Sequence, residues 1–161
     1  MHTVFLMLGS NLGDRPGYLS KAREMIAGGI GTLSRVSSLY ESEPWGFSHD
    51  MDFLNQCLAI KTELQALEIL KYIKNIEAGM GRDHNPSAYL PRIIDIDILF
   101  YDDELINQPE LIVPHRSLHL RRFVLVPLAE IAPDMIHPVF GKTASELLEE
   151  CDDPLSVRLY R

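Results

Sequence analysis

The stretch Ile93-Ile94-Asp95-Ile96-Asp97-Ile98-Leu99-Phe100 is apolar except for two carboxylates at alternate positions. Successive side chains on a β-strand point to opposite faces of the sheet. Asp95 and Asp97 should therefore share one face, about 7 Å apart along the strand, while the isoleucines between them face a core. We predict a strand over Ile93–Tyr101 that is buried on one side and carries an acidic pair on the other.

The rest of the chain predicts the order β-α-β-β-α-β followed by a helical extension. The predicted elements are strands at Thr3–Leu8, Thr32–Tyr40, Phe53–Thr62 and Ile93–Tyr101, and helices from Asp14 or Pro16 to Gly28-Gly29, from Gln65 to Ala78, over Val124–Ile131 (starting or kinking at Pro127) and over Ala144–Glu150. Two long loops, Glu41–Asp52 and Gly79–Arg92, separate them. This order fits an α+β, ferredoxin-like fold: a mostly antiparallel four-stranded sheet with helices on its faces.

Size and composition fit one compact domain over residues 1–161. The chain has no apolar run long enough to span a bilayer and no signal peptide, so we expect a cytoplasmic protein without membrane contact. A net charge of −8 argues against nucleic-acid binding. Cys57 falls in an alternating apolar strand and reads as a core residue.

Basic residues cluster around the acidic strand in an otherwise acidic chain. The cluster comprises Arg82, Arg92, Arg116, Arg121 and Arg122, with His84, His115 and His119. Two neighbouring carboxylates repel each other on a half-buried strand, and Mg²⁺ shared with substrate phosphates would relieve that repulsion. The alternative left open is an exposed edge strand whose acids are solvated or paired with Arg92. The favoured interpretation is a magnesium site that handles a nucleotide triphosphate.

Other common phosphate sites are excluded by spacing. Gly141-Lys142-Thr143 resembles the end of a P-loop, but Ile136 stands where that motif needs glycine, and no strand precedes it. A different chemistry is suggested by Trp45, Phe53 and Asn55, which offer aromatic faces and an amide. Such groups suit a flat heteroaromatic ring, although both aromatics also fit an ordinary core.

Several ordered motifs of the chain resemble those of the 6-hydroxymethyl-7,8-dihydropterin pyrophosphokinase family of folate biosynthesis. The principal match is Pro91-Arg92-Ile93-Ile94-Asp95-Ile96-Asp97-Ile98-Leu99. Further matches follow in family order along nearly the whole chain: Leu8-Gly9-Ser10-Asn11-Leu12-Gly13, Val36-Ser37-Ser38-Leu39-Tyr40, Glu43-Pro44-Trp45-Gly46, Phe53-Leu54-Asn55, Glu77 to Arg82, and Val113-Pro114-His115 with Arg121 and Phe123.

The resemblance implies that the pterin hydroxymethyl oxygen attacks the β-phosphorus of ATP, so that pyrophosphate moves and AMP leaves. It implies two Mg²⁺ ions on Asp95 and Asp97, and Asp95 would also contact the pterin. Arg82, Arg92 and Asp97 would be catalytic. The implied ATP-binding residues are Lys74, Glu77, Arg82, Arg92, Ile98, His115, Arg116 and Arg121; the implied pterin-binding residues are Ser42, Glu43, Trp45, Phe53, Asn55, Asp95 and Phe123. A monomer is expected.

The chain departs from the family pattern in the second long loop. Ala88, Tyr89 and Leu90 precede Pro91-Arg92, and Leu90 replaces a small residue. His84 replaces a frequent Arg, and Arg116 stands where Tyr is common. Two other functions fit less of the sequence. A nucleotidyltransferase also uses an Asp-x-Asp strand but would need a third carboxylate, and a non-catalytic ferredoxin-like ligand-binding module would not need the acidic pair.

Overall fold

A computed structural model describes residues 1–44, 51–81 and 93–161 of the chain. Its strands are β1 (His2–Ser10), β2 (Thr32–Val36), β3 (Tyr40–Ser42), β4 (Phe53–Thr62), β5 (Asp95–Tyr101), β6 (Ile106–Asn107), β7 (Ile112–Val113) and β8 (Val157–Leu159). Its helices are α1 (Arg15–Gly29), α2 (Ala66–Gly79), α3 (Arg122–Ile131) and α4 (Ala144–Glu149), with a short 3-10 helix at Leu118–Leu120.

The main sheet has six strands, and every pairing in it is antiparallel. Its order is β5-β1-β4-β3-β8, and β2 pairs with the C-terminal half of β4, beyond the part that pairs with β3. β1 is therefore central, between the acidic strand β5 and the long strand β4. A separate ribbon of two strands joins β6 to β7. The mixed α+β class and the antiparallel sheet predicted from the sequence are confirmed.

Two apolar cores cover the two faces of this sheet. The first holds α1 and α2 against alternate residues of the central strands, including Leu6, Leu58 and Ile96. The second holds α3 and α4 against the residues in between, including Met7 and Cys57. The sheet is thus sandwiched between helices, and the predicted core position of Cys57 is confirmed because its side chain is fully buried.

The prediction of a four-stranded sheet was wrong, because the main sheet contains two further strands. The predicted strand Thr32–Tyr40 divides into β2 and β3, because four residue steps from Val36 to Tyr40 match only three on β4. In the gap the Ser38 backbone N–H donates to Glu130 on α3 instead of joining the ladder. β8 was not predicted, since three residues at the end of a chain carry too little pattern.

The helices lie close to their predicted positions, and local capping explains their starts. The Asp14 carboxylate accepts a hydrogen bond from the Gly17 N–H at 3.2 Å at the start of α1. Gln65 and Glu68 form a capping box at α2. Pro127 lies inside α3, so the predicted alternative that the helix starts there was wrong: α3 begins at Arg122, whose N–H donates to Asp153. Within the described ranges, no helix combines the length and apolarity that crossing a membrane requires.

Candidate functional site

The acidic pair lies on the face of β5 that was predicted. Asp97 is paired with Met7 and Asp95 with Gly9 on β1, whereas Ile96 and Ile98 pack into the core under α1 and α2. Both carboxylates lie on the opposite face, partly exposed, and the side chain of Asp97 is 38% exposed. Partial exposure leaves carboxylate oxygens accessible to a ligand.

Gly9 connects the acidic pair to a buried amide. It pairs with Asp95 on one side and with Asn55 on the other, so Asp95 and Asn55 lie two strand spacings apart, about 10 Å. The Asn55 side chain is 1% exposed, and its amide donates to the Ser42 hydroxyl at 2.7 Å. A methyl group on Gly9 would lie 3.2 Å from the Asn55 carbonyl oxygen and 3.5 Å from the Phe53 ring. Glycine therefore leaves room between carboxylate and amide for a flat ligand.

His115 approaches the acidic pair from beyond the outer edge of β5. Its backbone N–H donates to the Leu99 carbonyl at 3.0 Å, which fixes the segment along that edge. Nδ1 accepts from the Ser117 N–H at 3.2 Å, so the neutral ring carries its proton on Nε2, 4.0 Å from the Asp97 carboxylate.

The environment of His115 keeps its ring uncharged at neutral pH. Burial is the largest influence, and the guanidinium of Arg121 adds to it; Asp95 opposes both. Together they lower the pKa of His115 to about 4. The ring is consequently a neutral hydrogen-bond donor in this structure, rather than part of the cationic belt that the sequence suggested.

Arg121 and Phe123 extend the site away from the carboxylates. The Arg121 guanidinium carbon lies 5.7 Å from the centre of the Phe123 ring, within cation–π range. Phe123 is half-buried at the start of α3 and packs against the second core. Arg116 is exposed near His115, on whose pKa its charge acts. The structure thus brings Asp95, His115 and the two arginines into one electrostatic neighbourhood.

The remaining expected ATP-binding residues occupy three different environments. Glu77, at the end of α2, is 3% exposed and accepts a hydrogen bond from the Ile96 N–H at 3.0 Å on the outer edge of β5. Lys74 is exposed on α2. The Ile98 side chain is buried in the first core, on the face of the sheet opposite Asp97, so only its backbone is available to a nucleotide on the acidic face.

The residues expected to bind the pterin divide between buried and exposed positions. Ser42 is buried and pairs across the sheet with Phe53, while Glu43 follows it on the surface. The other expected site residues, Trp45, Arg82 and Arg92, lie outside the described ranges, as do the departures at His84, Ala88, Tyr89 and Leu90.

The described side chains do not form a complete metal cage by themselves. Across residues 1–44, 51–81 and 93–161, no three His, Cys, Asp or Glu side chains converge as a potential metal site. Two adjacent, partly exposed carboxylates instead match the way Mg²⁺ is held in nucleotide enzymes, where substrate phosphates and water complete its coordination. The donor set fits Mg²⁺ that arrives with a nucleotide.

Two features of the site were not found from the sequence. From the sequence, Gly9 is predicted to open a tight turn that could approach a ligand through its backbone; in the structure it lies inside β1, where a glycine often marks a close approach of another group. The hydrogen bond between Asn55 and Ser42 joins residues 13 positions apart. It could not be inferred without the pairing of β3 with β4.

Comparison with known proteins gives a consistent answer. Residues 5–133 match the model of the family described as 7,8-dihydro-6-hydroxymethylpterin-pyrophosphokinase (HPPK). A relative from Aquifex aeolicus, named 2-amino-4-hydroxy-6-hydroxymethyldihydropteridine pyrophosphokinase, is 44% identical over 93% of this chain and 92% of its own length. A protein of the same name from Methylorubrum extorquens is 42% identical over 94% of this chain and 95% of its own.

Solved structures show the same fold. A triple mutant of Plasmodium falciparum HPPK-DHPS superimposes with a TM-score of 0.75 at 20% identity, covering 92% of this chain. The chain spans only 44% of the length of that protein. The matched segment of the family model includes β5, the acidic pair, His115 and Arg121. The chain therefore belongs to the 7,8-dihydro-6-hydroxymethylpterin-pyrophosphokinase family.

Proposed function

We propose that this chain catalyses the reaction for which its relatives are named, transferring pyrophosphate from ATP to 6-hydroxymethyl-7,8-dihydropterin. The hydroxymethyl oxygen forms a bond to the β-phosphorus, the bond from that phosphorus to the α,β-bridging oxygen breaks, and AMP leaves. The observation that carries the proposal is the row Asp95–Gly9–Asn55. In this row a carboxylate and an oriented amide share one face of the sheet, about 10 Å apart, a separation that a bicyclic ring with one substituent can bridge.

Asp95 and Asp97 are the residues that would hold two Mg²⁺ ions. Their shared face and their partial exposure support this assignment. When bound, the metal ions supply neutralisation of phosphate charge and a lowered pKa of the attacking hydroxyl group. The protein contributes a rigid strand, which fixes the spacing of the two carboxylates before substrates arrive.

The pterin is assigned to the Asn55 side of the row. Because the Ser42 hydroxyl accepts one amide N–H of Asn55, the amide is held in one orientation and its remaining polar atoms can hydrogen-bond the edge of a ring. Phe53, Phe123 and Trp45 supply aromatic faces for stacking. Ser42 and Glu43 contribute backbone groups at the end of β3, and Asp95 contacts the hydroxymethyl end of the ligand.

ATP is assigned to the His115 side. The neutral Nε2–H of His115 can donate to a phosphate or base acceptor, and Arg121 and Arg116 place positive charge nearby. Lys74, Glu77 and the backbone of Ile98 complete the proposed contacts along β5 and α2. Arg82 and Arg92 stabilise negative charge on the transferring phosphates, a role that requires guanidinium groups close to the β-phosphorus.

The net negative charge of the chain supports small-molecule partners rather than nucleic acid. We assign it no nucleic acid or membrane partner, a monomeric state, a cytoplasmic location and a single catalytic domain over residues 1–161. The net charge of −8 supports the first of these, because a nucleic-acid partner would favour a basic surface.

The decisive assay follows AMP production from ATP and Mg²⁺ with and without 6-hydroxymethyl-7,8-dihydropterin. We expect AMP and pterin diphosphate in equal amounts, and neither product without the pterin or in excess EDTA. AMP release that does not need the pterin would contradict the proposal and favour a nucleotidyltransferase. Pterin binding without turnover, in the presence of ATP and Mg²⁺, would favour a non-catalytic module.

A further inference from the structure

The C-terminal strand β8 forms the edge of the sheet next to the proposed pterin pocket. It pairs with β3, so that Val157 faces Ser42 and Arg158 faces Glu41. On its other side β3 pairs with β4, with Ser42 opposite Phe53. β8 therefore pairs directly with the strand that carries Ser42 and is separated by that one strand from Phe53; both residues are assigned to the pterin.

Arg158 joins two acids that flank those pocket residues in sequence. Its guanidinium lies 2.6 Å from the Asp52 carboxylate and 3.1 Å from that of Glu41. Glu41 immediately precedes Ser42, and Asp52 immediately precedes Phe53. One side chain therefore bridges the two places where the chain leaves and re-enters the β3–β4 pairing.

A second arginine completes the bridge from the opposite end of the chain. The Arg15 guanidinium lies 2.7 Å from Glu41 and donates to the Asp52 backbone carbonyl at 2.9 Å. Glu41 is thereby shared by two guanidinium groups. Linked ion pairs of this kind hold geometry better than isolated surface pairs, because each carboxylate is fixed from two directions.

The bridge lies on the face of the sheet opposite the proposed pocket. Glu41 pairs with Leu54, whose side chain belongs to the core under α1 and α2, whereas Ser42 and Asn55 lie on the other face. Arg158 therefore has no direct path to the pterin. Any effect on the ligand must pass through the backbone positions of β3 and β4.

We propose that Arg158 is a positioning residue for the pterin. By holding Glu41 and Asp52 together, it fixes the register and separation of Ser42 and Phe53, and with them the orientation of the Asn55 amide. This inference rests on the proposed function, since it assumes that these residues bind the pterin.

The test compares steady-state kinetics of Arg158→Met with those of a matched control, Lys142→Met. The Arg158 and Lys142 side chains are 50% and 44% exposed, and Lys142 also makes a surface ion pair, with Glu150. In Arg158→Met we expect the KM for the pterin to rise about three- to tenfold, the effect of losing two partly exposed ion pairs. The KM for ATP and kcat should stay within twofold. Lys142→Met should change none of these values.

Two further variants separate positioning from general destabilisation. Asp52→Asn should reproduce the selective rise in pterin KM, and adding it to Arg158→Met should have much less effect than the product of the two single changes. Arg158→Lys should recover part of the affinity, because one cation remains. Should Arg158→Met fail to fold by circular dichroism, Asp52→Asn alone decides the question.

The failures are distinguishable. An unchanged pterin KM in folded Arg158→Met, or an equal rise in the KM for ATP, would overturn the positioning role while leaving the proposed reaction intact. A wild-type protein that produced no AMP with pterin present would instead overturn the proposed function itself.

Discussion

Replacing Gly9 by alanine tests the arrangement of the site at its narrowest point. The three atoms nearest to the added methyl group would be one of Asn55, at 3.2 Å, and two of the Phe53 ring, at 3.5 and 3.8 Å. None of these atoms belongs to Asp95, although Asp95 is the other neighbour of Gly9 in the sheet. The substitution should therefore disturb the Asn55 side of the row, where the pterin is proposed to bind, and spare the Asp95 side, where the metal ions are proposed to bind.

The expected magnitude follows from how tightly Asn55 is held. A contact of 3.2 Å requires a shift of a few tenths of an ångström, and the buried amide cannot shift without straining its 2.7 Å hydrogen bond to Ser42. Disturbing one such bond costs about 1–2 kcal/mol. If that cost appears in pterin binding, the KM for the pterin rises about 5- to 30-fold.

The loss of stability in Gly9→Ala should be limited, because two effects oppose each other. Alanine restricts the unfolded chain and contributes about 0.4–1 kcal/mol of stability, whereas tighter packing against Asn55 costs about 1–3 kcal/mol. The net loss is therefore about 0–2.6 kcal/mol, which corresponds to a fall in Tm of at most about 10 °C. The protein should remain folded at assay temperature.

The assay measures AMP formation at varied pterin and varied ATP for Gly9→Ala and for a matched control, Gly28→Ala. A methyl group on Gly28 meets no atom within 4 Å, so the control should keep both KM values. A pterin KM within twofold of the wild-type value in folded Gly9→Ala would refute the proposed place of the ring. An equal rise in the KM for ATP would refute the division of the site into two sides.

Three further predictions concern the amide, the acid stability of the sheet edge and the attachment of α3. Asn55→Ala should raise the KM for the pterin about tenfold or more, because it removes hydrogen bonds worth roughly 1.5 kcal/mol. The KM for ATP should stay unchanged. Equal changes in the two KM values would contradict the proposed role of Asn55. Burial alone would raise the pKa of Asp102, but hydrogen bonds from the Thr3 N–H and from His2 outweigh it and hold that pKa below 3.8. The stability that Asp102 contributes is therefore complete above pH 3.8 and is lost as pH falls through the lower folded-state pKa. Urea unfolding should show Asp102→Asn to be about 0.5 kcal/mol less stable at pH 7, with the difference shrinking toward pH 2; a difference independent of pH would contradict this. Glu130→Ala removes the carboxylate that accepts hydrogen bonds from three donors: the Ser38 N–H, the Ser38 hydroxyl and the Tyr40 hydroxyl. Tm should therefore fall by about 2–8 °C, and an unchanged Tm would show that these bonds contribute nothing.

The parts of the site that the sequence predicted correctly depend on local periodicity. The shared face of Asp95 and Asp97 follows from the covalent alternation of a strand, and the faces of Leu54, Asn55 and Cys57 on β4 follow in the same way. Both helices that pack on the first face were predicted within two residues of their ends, and polar capping residues, Asp14 and Gln65, mark their starts.

The parts that could not be predicted depend on pairings between distant segments. Nothing local to Arg158 indicates that it lies beside Glu41, 117 residues earlier. The neutral state of His115 depends on the burial of its ring and on the nearby charge of Arg121. The sequence placed His115 and Arg121 in one cationic belt, but only the fold shows that the His115 ring is uncharged.

The central claim is that Asp95 and Asp97 hold divalent metal ions together with ATP. Electron paramagnetic resonance of Mn²⁺, titrated into the protein with a non-hydrolysable ATP analogue, counts bound ions directly. We expect two ions per wild-type chain and the loss of at least one in Asp97→Asn, whose fold should be intact. Equal binding of Mn²⁺ by the wild type and by folded Asp97→Asn would contradict the claim.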